Sequence, residues 1–430
     1  MRKYNIAMLS GDTPEPAINT IAQESYGQFA EDSISQANRH YGEISKIQQA
    51  MLETEDVALE ALEERAALEA ACARGGAESV AMEALQRAVK RFEKRTGVAY
   101  QKKYLSLESF ESKASRMQST KVAMEATSEY IKKLIKTLSD AVSGIWEKVK
   151  AYFEELMVGA ERLVKRANKL QVDLESVKGK EVKEDNVVTV PTVLEFARKG
   201  NQLVEGEDFV KAYSQHVKES SSYRSADSEF VKDWINKNNY QEILEESKKE
   251  NNQAKILELI ASKHNYPNEV VKGGLQYVEI KHELLGDYVT VETLISKDST
   301  WEELSKNFTK VGSKIEKPQD NEGFTPKSVI ALTPEQSEAV LGSAVDLMGS
   351  FKELRSQIKM IDAEIKKIIK EAGELVDYQN ASLNEMLVAS GYVRTHANAM
   401  MDKMTTQRGY DVNLTKAALD YVAASIDQIK

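Results

Sequence analysis

From Ala126 to Leu170 the apolar residues Ile131, Leu134, Leu138, Val142, Ile145, Val149, Phe153, Leu156, Ala160, Leu163, Ala167 and Leu170 follow one another at steps of three or four. That step is the period of an amphipathic α-helix. A stripe held this long predicts one helix from about Ser128 to Leu170, roughly 65 Å in length at about 1.5 Å per residue. Gly144 and Gly159 are where a bend is expected. Such a helix draws its stability from what covers its stripe, so the rest of the chain must supply partners. Trp146, Tyr152 and Phe153 with their flanking lysines also suit a helix lying in a membrane interface. Packing on protein is the commoner fate of such a stripe.

The approach to this helix differs from it. Residues 101 to 125 are polar and serine-rich, and small residues stand two before glutamate in Ser106-Leu107-Glu108, Ser109-Phe110-Glu111 and Ala123-Met124-Glu125. The stretch Ser112 to Thr120 reads as a loop that opens at little cost. The pentapeptide Val80-Ala81-Met82-Glu83-Ala84 recurs letter for letter as Val122-Ala123-Met124-Glu125-Ala126, with unrelated flanks. An isolated identical word points to a reader, and a protease is the obvious one. Of the sixteen glutamates up to Glu125, nine have Ala, Ser or Gly two places before them, against a small minority of the thirty-three that follow. Alanine-rich helix accounts for such triplets between Ala58 and Ala70, but not for the exact repeat or the serine triplets.

On these residues, with Ile145-Trp146, Val149-Lys150, Phe153 and Arg162-Leu163 in the helix, the chain resembles the internal head (inner-body) proteins of large tailed bacteriophages. The likeness is carried by residues 20 to 170. It implies a virion structural protein, not an enzyme, made as a precursor in the host cytoplasm and packaged in the capsid interior. Residues 1–125 would be a capsid-targeting propeptide removed by a prohead protease. In that reading Glu125 carries the specificity charge, Ala123 fills a small pocket, Met124 is unspecified and Ala126 becomes the new N-terminus. Ala81, Met82, Glu83 and Ala84 form a second site, and Ser106 with Glu108 and Ser109 with Glu111 further ones. The implied partners are the prohead protease, other capsid-core proteins and, weakly and without sequence preference, packaged DNA.

Composition sets the bounds. The 430 residues allow two to four domains and sizeable cores. The lone Cys72 excludes a disulfide within the chain. No apolar run approaches the roughly 20 residues of a membrane span, and Met1-Arg2-Lys3 leads into Gly11, Pro14 and Pro16 without the apolar core of a secretory signal. Residues 1–125 hold sixteen basic and nineteen acidic side chains within a total of 58 and 68, so neither part is basic as a strong phosphate binder should be.

The expected fold is mainly α with a small α+β middle part. After a leader of about 20 residues, helices are predicted from Ile21 to Arg74, where Gly75-Gly76 stops the pattern, and from Ser79 to Arg95, before Gly97. The long helix fills 126–171. A mixed body, 172–325, holds a short strand at Asn186–Val190 ended by Pro191, short helices with Trp234 and His264 as packing residues, and a hairpin of Leu275–Glu283 and Tyr288–Ile295 around Gly286-Asp287. In 326–430, Thr333-Pro334-Glu335-Gln336 is a helix start. Leu347, Phe351, Leu354, Ile358, Ile361, Ile365, Ile368, Ala372 and Leu375 form heptads that pair within the chain or make a homo-oligomer. Two last helices, Leu383–Met404 and Leu414–Ile429, are expected on either side of Gly409.

The five histidines, His40, His216, His264, His282 and His396, lack zinc-ligand spacing. No phosphate-cradling or hydrolase motif occurs. No cofactor, metal or catalytic residue is expected.

Overall fold

A computed structural model describes residues 21–100, 112–180, 186–199, 202–224, 236, 240–249, 252–261, 269–272, 275–295, 300, 312–316, 326–378 and 382–429. In chain order the helices are α1 (Ile21–Ala73), α2 (Ser79–Thr96), α3 (Lys113–Val177), α4 (Pro191–Phe196), α5 (Gly206–Arg224), α6 (Tyr240–Ser247), α7 (Gln253–Ala261), α8 (Pro334–Gly349), α9 (Phe351–Glu374) and α10 (Leu383–Ile429). The protein is mainly α, with little β structure.

The period seen in the sequence is the spine of the molecule. α3 runs unbroken for 65 residues, about 98 Å at 1.5 Å per residue. Every stripe residue from Ile131 to Leu170 is buried, and so is Trp146. Two core clusters lie along it. Around Leu138 to Val177 it meets α4, α5, α8, α9, the end of α10, and Ala37, Ile44 and Met51 of α1. Around Ala123 to Ile135 it meets α2, the Val57 to Leu68 part of α1, α6, α7 and the start of α10. The aromatic trio that suited a membrane interface is therefore spent inside the chain. Among the described residues no helix is long and apolar enough to cross a membrane.

α3 begins earlier than its apolar period announces. The expected loop Ser112 to Thr120 is helix: Ser112 is the N-cap, its Oγ accepting the Ser115 N–H at 3.1 Å. Serine here closes a helix end instead of opening a chain. The buried face continues backwards through Tyr130, Thr127, Ala126, Ala123 and Thr120, residues too small or too polar to register as hydrophobic period.

The C-terminal part contains a second difference. α10 passes through Gly409 as one helix of 47 residues where two were expected. A Cβ on Gly409 would lie 2.6 Å from the Tyr152 hydroxyl, which donates to the Thr405 carbonyl at 2.7 Å. The glycine serves a close approach of α3 to α10, not a break.

Elsewhere the local signals hold. α8 starts with a full capping box, Thr333 Oγ1 accepting the Gln336 N–H while the Gln336 side chain accepts the Thr333 N–H. The heptad residues of α9 are buried against α3 within the chain. The four-stranded sheet is an antiparallel meander of Glu269–Lys272, Leu275–Glu283, Val289–Ile295 and Gly312–Glu316, Tyr277 opposing Ile295 and Val289 opposing Glu316. Two short pairs, Val187–Val188 with Val329–Ile330 and Arg198–Lys199 with Gln202–Leu203, tie the connections. Trp234 and His264 lie outside the described residues.

Candidate processing junction

The two copies of the pentapeptide are both helical, one in the first turns of α2 and one in the third and fourth turns of α3. They face the core through different letters. In α2, Met82 is fully buried while Val80, Ala81, Glu83 and Ala84 are exposed. In α3, Ala123 and Ala126 are buried, Met124 is half-buried and Glu125 alone is exposed. Ser106, Glu108, Ser109 and Glu111 lie outside the described residues.

The surroundings of Ala123 explain its burial. The chain leaving α2 turns back at Gly97, in left-handed backbone (φ 71°), and lays Tyr100 against α3. The Tyr100 hydroxyl donates to the Ala123 carbonyl at 3.3 Å and pairs with Thr127 Oγ1 at 3.0 Å. Its ring lies 5.4 Å from that of Tyr130, and the Tyr130 ring stacks on Phe92 at 6.3 Å. Burial lifts the pKa of both phenols. The turn between α1 and α2 is pinned as well. Ala77 N–H donates to Thr120 Oγ1 at 2.8 Å, and a Cβ on Gly76 (φ 103°) would come within 2.5 Å of the Arg116 and Met117 backbone. Only glycine permits that approach.

A protease binds its substrate as an extended strand. At Glu125 this requires unwinding α3 and drawing Ala123 out of the core. At Glu83 it requires removing Met82, and burial of a side chain of that size is worth roughly 1.5–3 kcal/mol. By contrast Glu78, two after Gly76, is exposed and extended (φ −78°, ψ 161°) as the N-cap of α2. The Glu78 backbone is already extended, but Gly76 and Ala77 just before it are held against α3.

Polar groups inside the bundle were missed by sequence reasoning. Arg394 is fully buried in α10, with Nη2 at 3.2 Å from Glu55 Oε1 of α1. Its Nε and Nη1 have no hydrogen-bond partner. Burial raises the pKa of Glu55 and lowers that of Arg394. Asp402 accepts from Gln48 Nε2 of α1 at 2.7 Å, and burial lifts its carboxyl to about 7. His216 Nε2 lies 2.7 Å from Asp411 Oδ1, with Ser220 Oγ 3.2 Å from both. This resembles a hydrolytic triad in composition only. A relay needs the hydroxyl and the carboxylate on opposite ring nitrogens, whereas here both meet Nε2, in a buried cluster that Arg408 Nη1 completes at 3.7 Å from Asp411. It ties α5 to α10. Among the described residues no group of three His, Cys, Asp or Glu could hold a metal.

The molecule is thus a bundle built on one spine, with buried polar contacts tying α1 and α5 to α10. Comparison with known proteins decides its family: residues 30–424 match the phiKZ-like phage internal head proteins. The chain belongs to that family. No curated protein and no solved structure matches it. The match runs from α1 to α10, so this internal head protein is related to its family through both the segment before Glu125 and the segment after it. Membership places the protein inside the phage head.

Proposed function

We propose that this internal head protein is a structural component of the capsid interior, made as a precursor and cut by the prohead protease after small-x-Glu triplets during head maturation. The observation that carries the reading is the concentration of such triplets up to Glu125 together with the exact repeat that contains Glu83 and Glu125. The geometry adds a condition. Because Ala123 and Ala126 are buried and Tyr100 seals the junction, cutting after Glu125 takes place on a chain whose α1–α2 segment has not yet docked or has been opened. Other core proteins hold the segment in that state, and its removal leaves Ala126 as the new N-terminus.

A second reading rests on the packing of α1 along the length of α3. In it the segment is a permanent part of the body and the chain is an unprocessed helical scaffold. N-terminal sequencing and peptide coverage of the protein taken from mature heads separate the two. Processing predicts a start at Ala126 and loss of peptides from 30–100. Equal coverage of 30–100 and 130–420 would leave the scaffold.

A further inference from the structure

Two exposed charged stripes run along the α1–α2 hairpin. Between Lys46 and Arg65 every charged residue of α1 is acidic. Of these Glu53, Asp56, Glu60 and Glu63, at helical spacings of three and four, share one face, with Glu53, Asp56 and Glu63 exposed and Glu60 half-buried. On α2, Arg87, Lys90, Arg91 and Lys94 occupy i, i+3, i+4 and i+7 and are all exposed. Glu83 begins the same face one turn earlier, and Glu93 faces away to accept the Tyr100 N–H at 3.0 Å. The stripes meet where Arg95 at the end of α2 reaches Asp56 at 3.8 Å and bonds Glu60. Beyond that junction no ion pair among the described residues joins them. Asp56 shows the strain. Desolvation raises its carboxyl, and Glu60 and Glu53 push it the same way against Arg95. Leu52, 42% exposed, sits beside Glu53.

A uniform polyanion fits this surface poorly. A nucleic-acid backbone on the α2 stripe would meet carboxylates at its end, where Arg95 brings Asp56 within 3.8 Å, well inside the screening distance of about 8 Å at physiological salt. What matches is a surface carrying both signs side by side, and the hairpin is itself such a surface. A two-fold arrangement sets the basic stripe of each copy on the acidic stripe of the other and uses both at once. We propose that the α1–α2 hairpin docks on the same hairpin of a second copy of this chain. The contact belongs to the uncut protein and does not depend on whether Glu125 is later cleaved.

The test uses the full chain in sedimentation velocity. Wild type should form dimers at low salt, with a dissociation constant that rises at least about tenfold when ionic strength goes from about 0.05 to about 0.5 M, because exposed pairs are screened. Reversing the basic stripe (Arg87→Glu, Lys90→Glu, Arg91→Glu, Lys94→Glu) or the acidic one (Glu53→Lys, Glu60→Lys, Glu63→Lys) should abolish dimers, and mixing the two variants should restore them as a heterodimer. Should a variant fold poorly, zero-length carbodiimide cross-linking of isotope-mixed wild type supplies the answer, since Lys90 or Lys94 should join Glu53, Glu60 or Glu63 in mixed-label peptides. A monomeric wild type, cross-links of single label only, or salt-sensitive binding to a non-specific DNA duplex without self-association would each overturn the proposal, the last in favour of a phosphate-binding face.

Discussion

Residues 80–84 and 122–126 have the same sequence and the same helical backbone, yet Met82 is the buried letter of the first and Ala123 and Ala126 are the buried letters of the second. Local sequence decides that each is helix. What it cannot decide is the rotation of that helix about its axis, which is set by flanking residues: Leu85, Val89 and Phe92 turn Met82 inward on α2, and Thr120, Thr127, Tyr130 and Ile131 turn Ala123 inward on α3. Glu83 and Glu125 stay exposed in both. A recognition word in a folded protein is therefore only partly its letters, and the remainder is the face that its neighbours leave free.

The largest expected effect that could break this comparison is at the methionines. Met82→Ala should destabilise the protein by about 2–5 kcal/mol, the range for deleting a buried large side chain. Met124→Ala, at a half-buried position, should cost less than about half of that. Urea denaturation of the two variants measures both. Equal losses would mean that the faces are not opposed as described.

The alanines should show the reverse order at a smaller scale. Ala123→Leu forces extra methylenes against Tyr100 and Thr127 and should cost about 1–3 kcal/mol. Ala81→Leu, on the exposed face, should stay within about 0.5 kcal/mol of wild type. Ala123→Leu therefore disturbs the fold as well as any protease pocket, and a loss of processing in that variant alone would not assign a role to Ala123.

Tyr100→Phe is next. It removes one hydroxyl that bonds Thr127 Oγ1 and the Ala123 carbonyl, and should cost about 0.5–1.5 kcal/mol, the net worth of a typical hydrogen bond. The informative readout is local: amide exchange around Ala123 to Thr127 should accelerate while that around Met82 to Leu85 is unchanged. Uniform acceleration would show that Tyr100 supports the whole bundle and is not the seal of the α3 junction.

How much of this was legible in advance follows the same division. The long stripe, the stop at Gly75-Gly76, the Thr333 capping box and the Gly286 hairpin are encoded within a few residues of each other, and each appears where the sequence puts it. The start of α3 at Lys113 was hidden because its buried face is made of Thr120, Ala123 and Ala126, whose small side chains matter only through what packs on them. Gly409 reads as a breaker until Tyr152 is known to lie against it. The burial of Arg394 had one available signal, a lone charge following Leu387, Val388, Ala389, Tyr392 and Val393, but its partner Glu55 lies on a distant helix. At the junction, the letters could nominate residues for a reader. Accessibility could not be read, because it depends on Tyr100 and on the turn at Gly76.

The smallest expected effect on stability is also the cleanest test of the word. Glu83 and Glu125 are exposed and stand at matched places in the two copies, and among the described residues no ion pair joins either to a neighbour. Glu83→Gln and Glu125→Gln keep shape and nearly keep helix propensity, so each should leave stability within about 0.5 kcal/mol while removing the charge proposed to be read. Co-expression with the cognate prohead protease and intact-mass measurement then reports cleavage free of folding effects. If the charge is read, Glu125→Gln abolishes the cut between residues 125 and 126 and leaves any cut after Glu83, and Glu83→Gln does the converse, whereas Met124→Leu changes neither. A cut after residue 125 that persists in Glu125→Gln would falsify the role of that carboxylate and leave the pentapeptide repeat as helix composition alone.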